Sequence, residues 1–235
     1  MINAIEVKAL SKSFGRETVL RDINVSFEAG KIHGIIGRNG SGKTVFMKCI
    51  LGFLKPSSGS VRVFEKTIGK DVDFAPDTGM MIETPGFITT ESGSNNLKWL
   101  LRLRDRKDVD VCSYMNMVGL DGKSKKHVGK YSLGMRQRLG IAQAIMENPR
   151  LLVLDEPMNG LDNRGVEDMR RLFATLKGQG VTILLSSHNP LDISTLCDTV
   201  CEMDRGGDPI PLRRETFEKT SPGILILCNK ESIMS

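Results

Sequence analysis

Aromatic side chains are scarce in this chain, 5% of 235 residues with one Trp and two Tyr. Long hydrophobic runs are missing too. The best candidates, such as Ile183 to Ser187, are strand-sized, far short of the roughly 20 apolar residues that cross a bilayer as a helix. The chain is therefore not expected to span a membrane itself. The basic clusters Arg102-Leu103-Arg104-Asp105-Arg106-Lys107 and Lys123-Ser124-Lys125-Lys126 have no aromatics interleaved, whereas single-stranded nucleic acid is gripped by base stacking on such rings. No nucleic-acid partner is expected. At a net charge of +5, these clusters read as solvated faces or as surfaces lying against anionic headgroups. The start Met1-Ile2-Asn3-Ala4-Ile5-Glu6 lacks the basic segment, apolar stretch and cleavage site of a secretory signal, so a cytosolic location is expected. The five cysteines are odd in number and scattered, with Cys49 and Cys112 among apolar neighbours. That suits reduced thiols better than a disulfide framework. Cys197 and Cys201 sit four apart without a second pair at ligand spacing, so they are not read as a metal site.

What is present is ordinary globular material, 40% hydrophobic and 26% charged, in a length suited to one α/β domain. Two strands are expected between Ile5 and Phe27. Lys31 to Ile36 reads as a short apolar strand, followed by a glycine-rich loop and a helix from Lys43 to Phe53. Strands follow at Ser60 to Phe64 and Gly79 to Ile82. From about Thr90 to Asn148 the text turns helical: Asn96 to Leu103, Val109 to Val118, and Leu133 to Met146, stopped by Asn148-Pro149. Strand and helix then alternate again: Leu151 to Leu154, Val166 to Lys177, Val181 to Leu185, Pro190 to Cys197, Thr199 to Met203. The expected fold is α/β, with a mostly parallel sheet, antiparallel N-terminal strands and an inserted helical subdomain. The boundaries are 1–89 and 149–204 for the core, 90–148 for the helical part, and 205–235 for a tail with no interpretable pattern.

Gly37-Arg38-Asn39-Gly40-Ser41-Gly42-Lys43-Thr44 fits G-x-x-x-x-G-K-[ST] after a strand and at the start of a helix. Glycines let the backbone curl its N–H groups toward phosphate oxygens. The helix dipole adds partial positive charge, Lys43 adds a full one, and Thr44 offers a hydroxyl to Mg²⁺. Leu151-Leu152-Val153-Leu154-Asp155-Glu156 is a buried strand ending in two carboxylates, at the sheet edge where ligands bind. Asp155 is read as holding Mg²⁺ through its waters. Glu156, one residue farther, is placed to polarise a water for in-line attack on a γ-phosphate.

Tyr131-Ser132-Leu133-Gly134-Met135-Arg136-Gln137-Arg138 then resembles the signature motif of the ABC ATPases, usually LSGGQ, just ahead of the acidic strand. Asn159-Gly160-Leu161-Asp162 resembles their D-loop, and Ser186-Ser187-His188 their switch histidine. The resemblance spans roughly Ile5 to Asp204 and implies a P-loop NTPase core that binds and hydrolyses ATP with Mg²⁺. By the family pattern, Phe14 stacks on adenine, His188 bonds the γ-phosphate, and Ser132, Gly134 and Asp162 act across a head-to-tail dimer. An independent reason for dimerisation comes from the helix beginning at Ser132. Sixteen residues through Glu147 would be about 24 Å long, which separates its N-terminal phosphate-binding groups from Lys43 of the same chain. A second cassette, identical or paralogous, is expected to bring the phosphate.

The chain also departs from the family. Glu83 stands where glutamine usually touches Mg²⁺ and senses the membrane partner, and its carboxylate is expected still to ligate the metal; Val45 replaces a hydroxyl residue and Leu133 a signature glycine. Glu83-Thr84-Pro85-Gly86-Phe87 and Tyr131 to Met135 are similar to variants in peptide-antibiotic export or immunity ATPases. Without a spanning helix, the implied transporter role requires a transmembrane permease subunit, with this chain peripheral on the cytoplasmic face. A soluble ABC ATPase of assembly or repair, and a nucleotide switch with little turnover, are the alternatives.

Overall fold

The computed structural model describes residues 2–83, 86–106, 108–188, 190–203 and 225–226. Thr84 and Pro85 of the export-like segment, Lys107 of the first basic cluster and nearly all of the tail lie outside them.

The first two strands, β1 (Asn3–Phe14) and β2 (Glu17–Glu28), pair antiparallel. Strict alternation would turn Leu10 outward from Val7, three residues earlier. A register shift between these two, with Ala9 at φ 48°, keeps both buried by inserting a bulge. β4 (Ser58–Val63) adds to the other side of β1, and β5 (Lys66–Thr67) forms the edge.

The second sheet has six strands: β3 (Ile32–Ile36), β6 (Thr78–Met81), β7 (Leu151–Leu154), β8 (Thr182–Ser186), β9 (Thr199–Glu202) and β10 (Leu225–Ile226). Their order is β10-β9-β3-β8-β7-β6 and every pairing is parallel. Every residue of β7 and β8 is buried, as unbroken apolar runs demand of strands covered on both faces. Three helices, α1 (Lys43–Leu51), α5 (Asn163–Gly178) and α6 (Pro190–Leu196), accompany this sheet. Between β6 and β7 run α2 (Gly93–Leu103), α3 (Val111–Met117) and α4 (Leu133–Ile145), whose Leu97, Leu101, Met115 and Leu139 join one apolar cluster with Leu152 and Leu154. The α/β architecture with antiparallel N-terminal strands and inserted helices is thus the one expected.

Element ends differ where caps decide them. α1 stops at Leu51 because Gly52, at φ 90°, takes the left-handed C-cap. α5 starts three residues before Val166 because Asp162 accepts from the Gly165 N–H. α2 starts at Gly93 because Ser92 accepts from the Asn95 N–H. No helix among the described residues is long and apolar enough to cross a membrane.

His33, read as structural, is 1% exposed inside β3. Its Nε2 lies 2.8 Å from the Glu28 carbonyl oxygen and its Nδ1 faces the Thr199 hydroxyl. A carbonyl only accepts, so Nε2 carries the proton. Burial pushes the imidazole below its ordinary value of 6.5, against the opposing pull of the Glu28 carbonyl. The unfolded chain then binds a proton that the folded chain refuses, and stability falls as pH drops through 6.5. Melting temperatures measured between about pH 7.5 and 5 should show this slope, and His33→Gln should flatten it; an unchanged slope would exclude His33 as its source.

Candidate functional site

β3 ends at Ile36, and the chain curls through Gly37 to Gly42 before entering α1 at Lys43. Gly37 has φ 153°, and a Cβ there would lie 2.3 Å from the Met203 carbonyl oxygen and 2.6 Å from Ser41 Oγ. Only glycine fits that approach. The N-cap of α1, Gly42, provides no side-chain acceptor, and its first turn holds no acidic residue. Its leading N–H groups are therefore left for an anion. Lys43 is 8% exposed, and its Nζ donates to the carbonyls of Gly37 at 2.7 Å and Arg38 at 3.2 Å. Ser41 Oγ is buried without a hydrogen-bond partner. A buried orphan hydroxyl inside a loop of inward-curling backbone is what a phosphate oxygen would satisfy.

The loop opens on a cavity of about 480 Å³ between Val19 of β2, Asn39, Gly40, Lys43, Thr44, Asp155 and Glu156. Pairing of Met81 with Leu154 and of Leu154 with Leu185 aligns the carboxyl ends of β6, β7 and β8. That alignment delivers the acidic pair to the loop. Thr44 Oγ1 donates to Asp155 Oδ2 at 2.6 Å, and Ser186 Oγ donates to Asp155 Oδ1 at 2.6 Å. The Ser186 hydroxyl also accepts from the Glu156 N–H at 2.8 Å, while Gln137 Nε2 donates to the Glu156 carbonyl at 2.8 Å. These bonds hold Glu156 at φ 49°, a conformation that is strained for a residue with a Cβ. Its Oε2 lies 2.9 Å from Nδ1 of His188, whose ring is 66% exposed. Because a carboxylate only accepts, Nδ1 carries the proton of that bond.

The structure therefore brings together Gly37, Asn39, Gly40, Ser41, Gly42, Lys43, Thr44, Asp155, Glu156 and His188. Thr44 and Asp155 offer two hard oxygen donors, which suits Mg²⁺ completed by substrate and water oxygens. Other expected residues lie elsewhere. Phe14, at the end of β1, is half-exposed under the Lys12 ammonium, 4.9 Å from its ring centre, and does not line the cavity. Ser132 Oγ caps α4 by accepting from the Met135 N–H at 3.2 Å. Gly134 packs on the Gly160 carbonyl oxygen, which an added Cβ would approach to 2.8 Å. Asp162 accepts from the Gly165 N–H at 2.8 Å as the cap of α5. Glu83, at φ 60°, pairs with Lys48 at 2.7 Å and not with Thr44 and Asp155.

Ser186 and Gln137 were given no role from sequence. Ser186 carried a signal, a hydroxyl closing the apolar strand Ile183-Leu184-Leu185. Gln137 had none, since its reach to Glu156 depends on how α4 packs.

Residues 20–159 match the ABC transporter family. An uncharacterized ABC transporter ATP-binding protein of Bacillus subtilis, YybJ, is 39% identical over 216 residues, covering 92% of this chain and 96% of the relative. The bacitracin transport ATP-binding protein BcrA of Enterococcus faecalis is 41% identical over 205 residues, 86% of this chain and 67% of its own length. The lantibiotic transport ATP-binding protein SrtF of Streptococcus pyogenes is 35% identical over 196 residues, 83% of this chain and 85% of its own. Among solved structures, the dimeric post-hydrolysis state of the ATP-binding cassette MJ0796 bound to ADP and Pi superposes with a TM-score of 0.75 at 20% identity, over 85% of this chain and 94% of that one. At that identity it establishes the fold alone. With the family matched over 140 residues and full-length relatives at this identity, the chain belongs to the ABC transporter family as one of its ATP-binding cassettes.

Proposed function

We propose that the chain hydrolyses ATP as the motor of a membrane transporter, two cassettes closing around two nucleotides. The observation that carries this reading is the convergence of Lys43, Thr44, Asp155, Glu156 and His188 on one sheet edge beside an uncapped helix start. Triphosphate would displace the Gly37 and Arg38 carbonyls from Lys43 and occupy the orphan Ser41 hydroxyl. Thr44 and Asp155 would hold Mg²⁺, which when bound spreads positive charge over the phosphate oxygens. Glu156 accepts a proton from the attacking water, and His188, hydrogen-bonded to that carboxylate, holds it in place and reaches the γ-phosphate.

Ser132 and Gly134, at the start of α4, do not line this cavity, and in the two-cassette reading they meet the nucleotide of another copy. Asp162, near Gly134 through the Asn159–Leu161 turn, would then also lie across the dimer. Loss of the γ-phosphate weakens those contacts and separates the pair. For the membrane partner, a groove of about 690 Å³ runs between the end of α1 and the helical segment. It is lined by Leu51, Phe53, Phe74, Leu100 and Arg104, and Phe53 and Phe74 are both exposed. A permease segment seated there would hold the cassette on the cytoplasmic membrane face. Relatives named for bacitracin and lantibiotic transport support a peptide antibiotic as the class of cargo.

Phosphate release by the purified chain, followed across a hundred-fold range of chain concentration, is expected to rise more steeply than linearly until dimers saturate. Strict proportionality throughout would overturn the two-cassette reading.

A further inference from the structure

Glu83 stands two residues past β6, whose last residue Met81 accepts the Asp155 N–H at 2.7 Å. Its backbone is thus at the same sheet edge as the acidic pair. The side chain nevertheless goes elsewhere. Glu83 adopts φ 60°, a left-handed conformation uncommon for a residue with a Cβ, and its Oε1 accepts from Lys48 Nζ at 2.7 Å. Lys48 lies on α1 four residues after Thr44. The two side chains therefore leave one helix face a single turn apart, roughly 6 Å between their Cβ atoms. The Glu83 carboxylate is held about one turn away from the hydroxyl that bonds Asp155, on the ammonium of Lys48; the Lys48 side chain is 28% exposed and that of Glu83 63%. Released from Lys48, the same carboxylate would put an unpaired negative charge near bound triphosphate.

We propose that Lys48 is a positioning residue for nucleotide binding, holding the Glu83 carboxylate off the triphosphate and neutralising its charge. The pair also ties the chain just past β6 onto α1. This rests on the ATP reading above.

The experiment compares Mg-ATP affinity, by titration, and steady-state KM and kcat for the full chain, Lys48→Ala, Glu83→Gln and the double variant. Lys48→Ala is expected to weaken ATP binding and raise KM by up to about five-fold, the scale of one exposed charge, with kcat nearly unchanged. The double variant should return to within about two-fold of Glu83→Gln, because no charge remains to be restrained. Lys48→Arg should behave as wild type. At about 1 M salt, where the screening length is about 3 Å, the Lys48→Ala defect should shrink. Lys48→Gln, which keeps the chain length, replaces Lys48→Ala if the latter melts early. Unchanged affinity in Lys48→Ala and Lys48→Gln, or a double variant as weak as Lys48→Ala, overturns the proposal. If the wild type binds ATP and only this suppression fails, Lys48 loses its role and the ATPase reading stands; a wild type that binds no ATP removes both.

Discussion

Glu156→Gln is expected to lower ATP hydrolysis by about three orders of magnitude, within the range attributed to a positioned general base, while ATP affinity stays within about two-fold. The substitution keeps shape and removes the proton acceptor. It also spares the bonds that fix the backbone at this position, since Ser186 and Gln137 engage the Glu156 N–H and carbonyl. His188 remains beside an amide in place of a carboxylate. With nucleotide bound and not cleaved, the proposed two-cassette state should persist, so scattering of the variant with Mg-ATP should report twice the mass of the ATP-free sample. Hydrolysis within ten-fold of wild type would remove Glu156 from the role of base. Lost hydrolysis with only monomers present would leave the base and reject the dimer.

Lys43→Ala is expected to weaken ATP binding by about 100-fold, the scale of one or two hydrogen bonds to a charged group. Two separate losses are combined. The ammonium is a buried full positive charge within the loop, and it also bonds the Gly37 and Arg38 carbonyls, so its removal takes a donor from both and leaves that of Arg38 with the Ser41 N–H. Lys43→Met retains the aliphatic stem of this buried side chain but neither its charge nor its donors, and so separates lost packing from the lost ammonium. If binding loss follows the missing ammonium, both variants bind ATP equally poorly, whereas melting temperature in Lys43→Met recovers only the part that packing of the stem contributes. ATP affinity within three-fold of wild type in both variants would show that the phosphates do not rest on this lysine.

Legibility in the sequence differed sharply between parts of the molecule. The phosphate loop was readable because its chemistry is local. Gly37 to Thr44 are contiguous, and the positive φ angles of Gly37, Gly40 and Gly42 belong to the turn of the loop. The acidic pair was readable because Leu151 to Leu154 is a fully apolar run that must end at a sheet edge. Glu83 was different: its expected place rested on position along the chain, while the observed one depends on a backbone reversal and on Lys48, 35 residues earlier. Phe14 likewise stands at the expected place in sequence, yet lies half-exposed at the end of a hairpin outside the cavity lining.

By itself, the sequence determined the α/β alternation, the strand-loop-helix unit proposed to bind phosphate and the carboxylates at the end of β7, because apolar periodicity and glycine placement act over a few residues. Only tertiary structure decided strand order, the Ser186 hydroxyl shared between Asp155 and Glu156, the Gln137 bond to Glu156 and the Lys48–Glu83 pair. Those contacts join residues from 19 to 35 positions apart along the chain. They exist because parallel pairing aligns strand ends and α4 packs beside them, and no local pattern encodes that register.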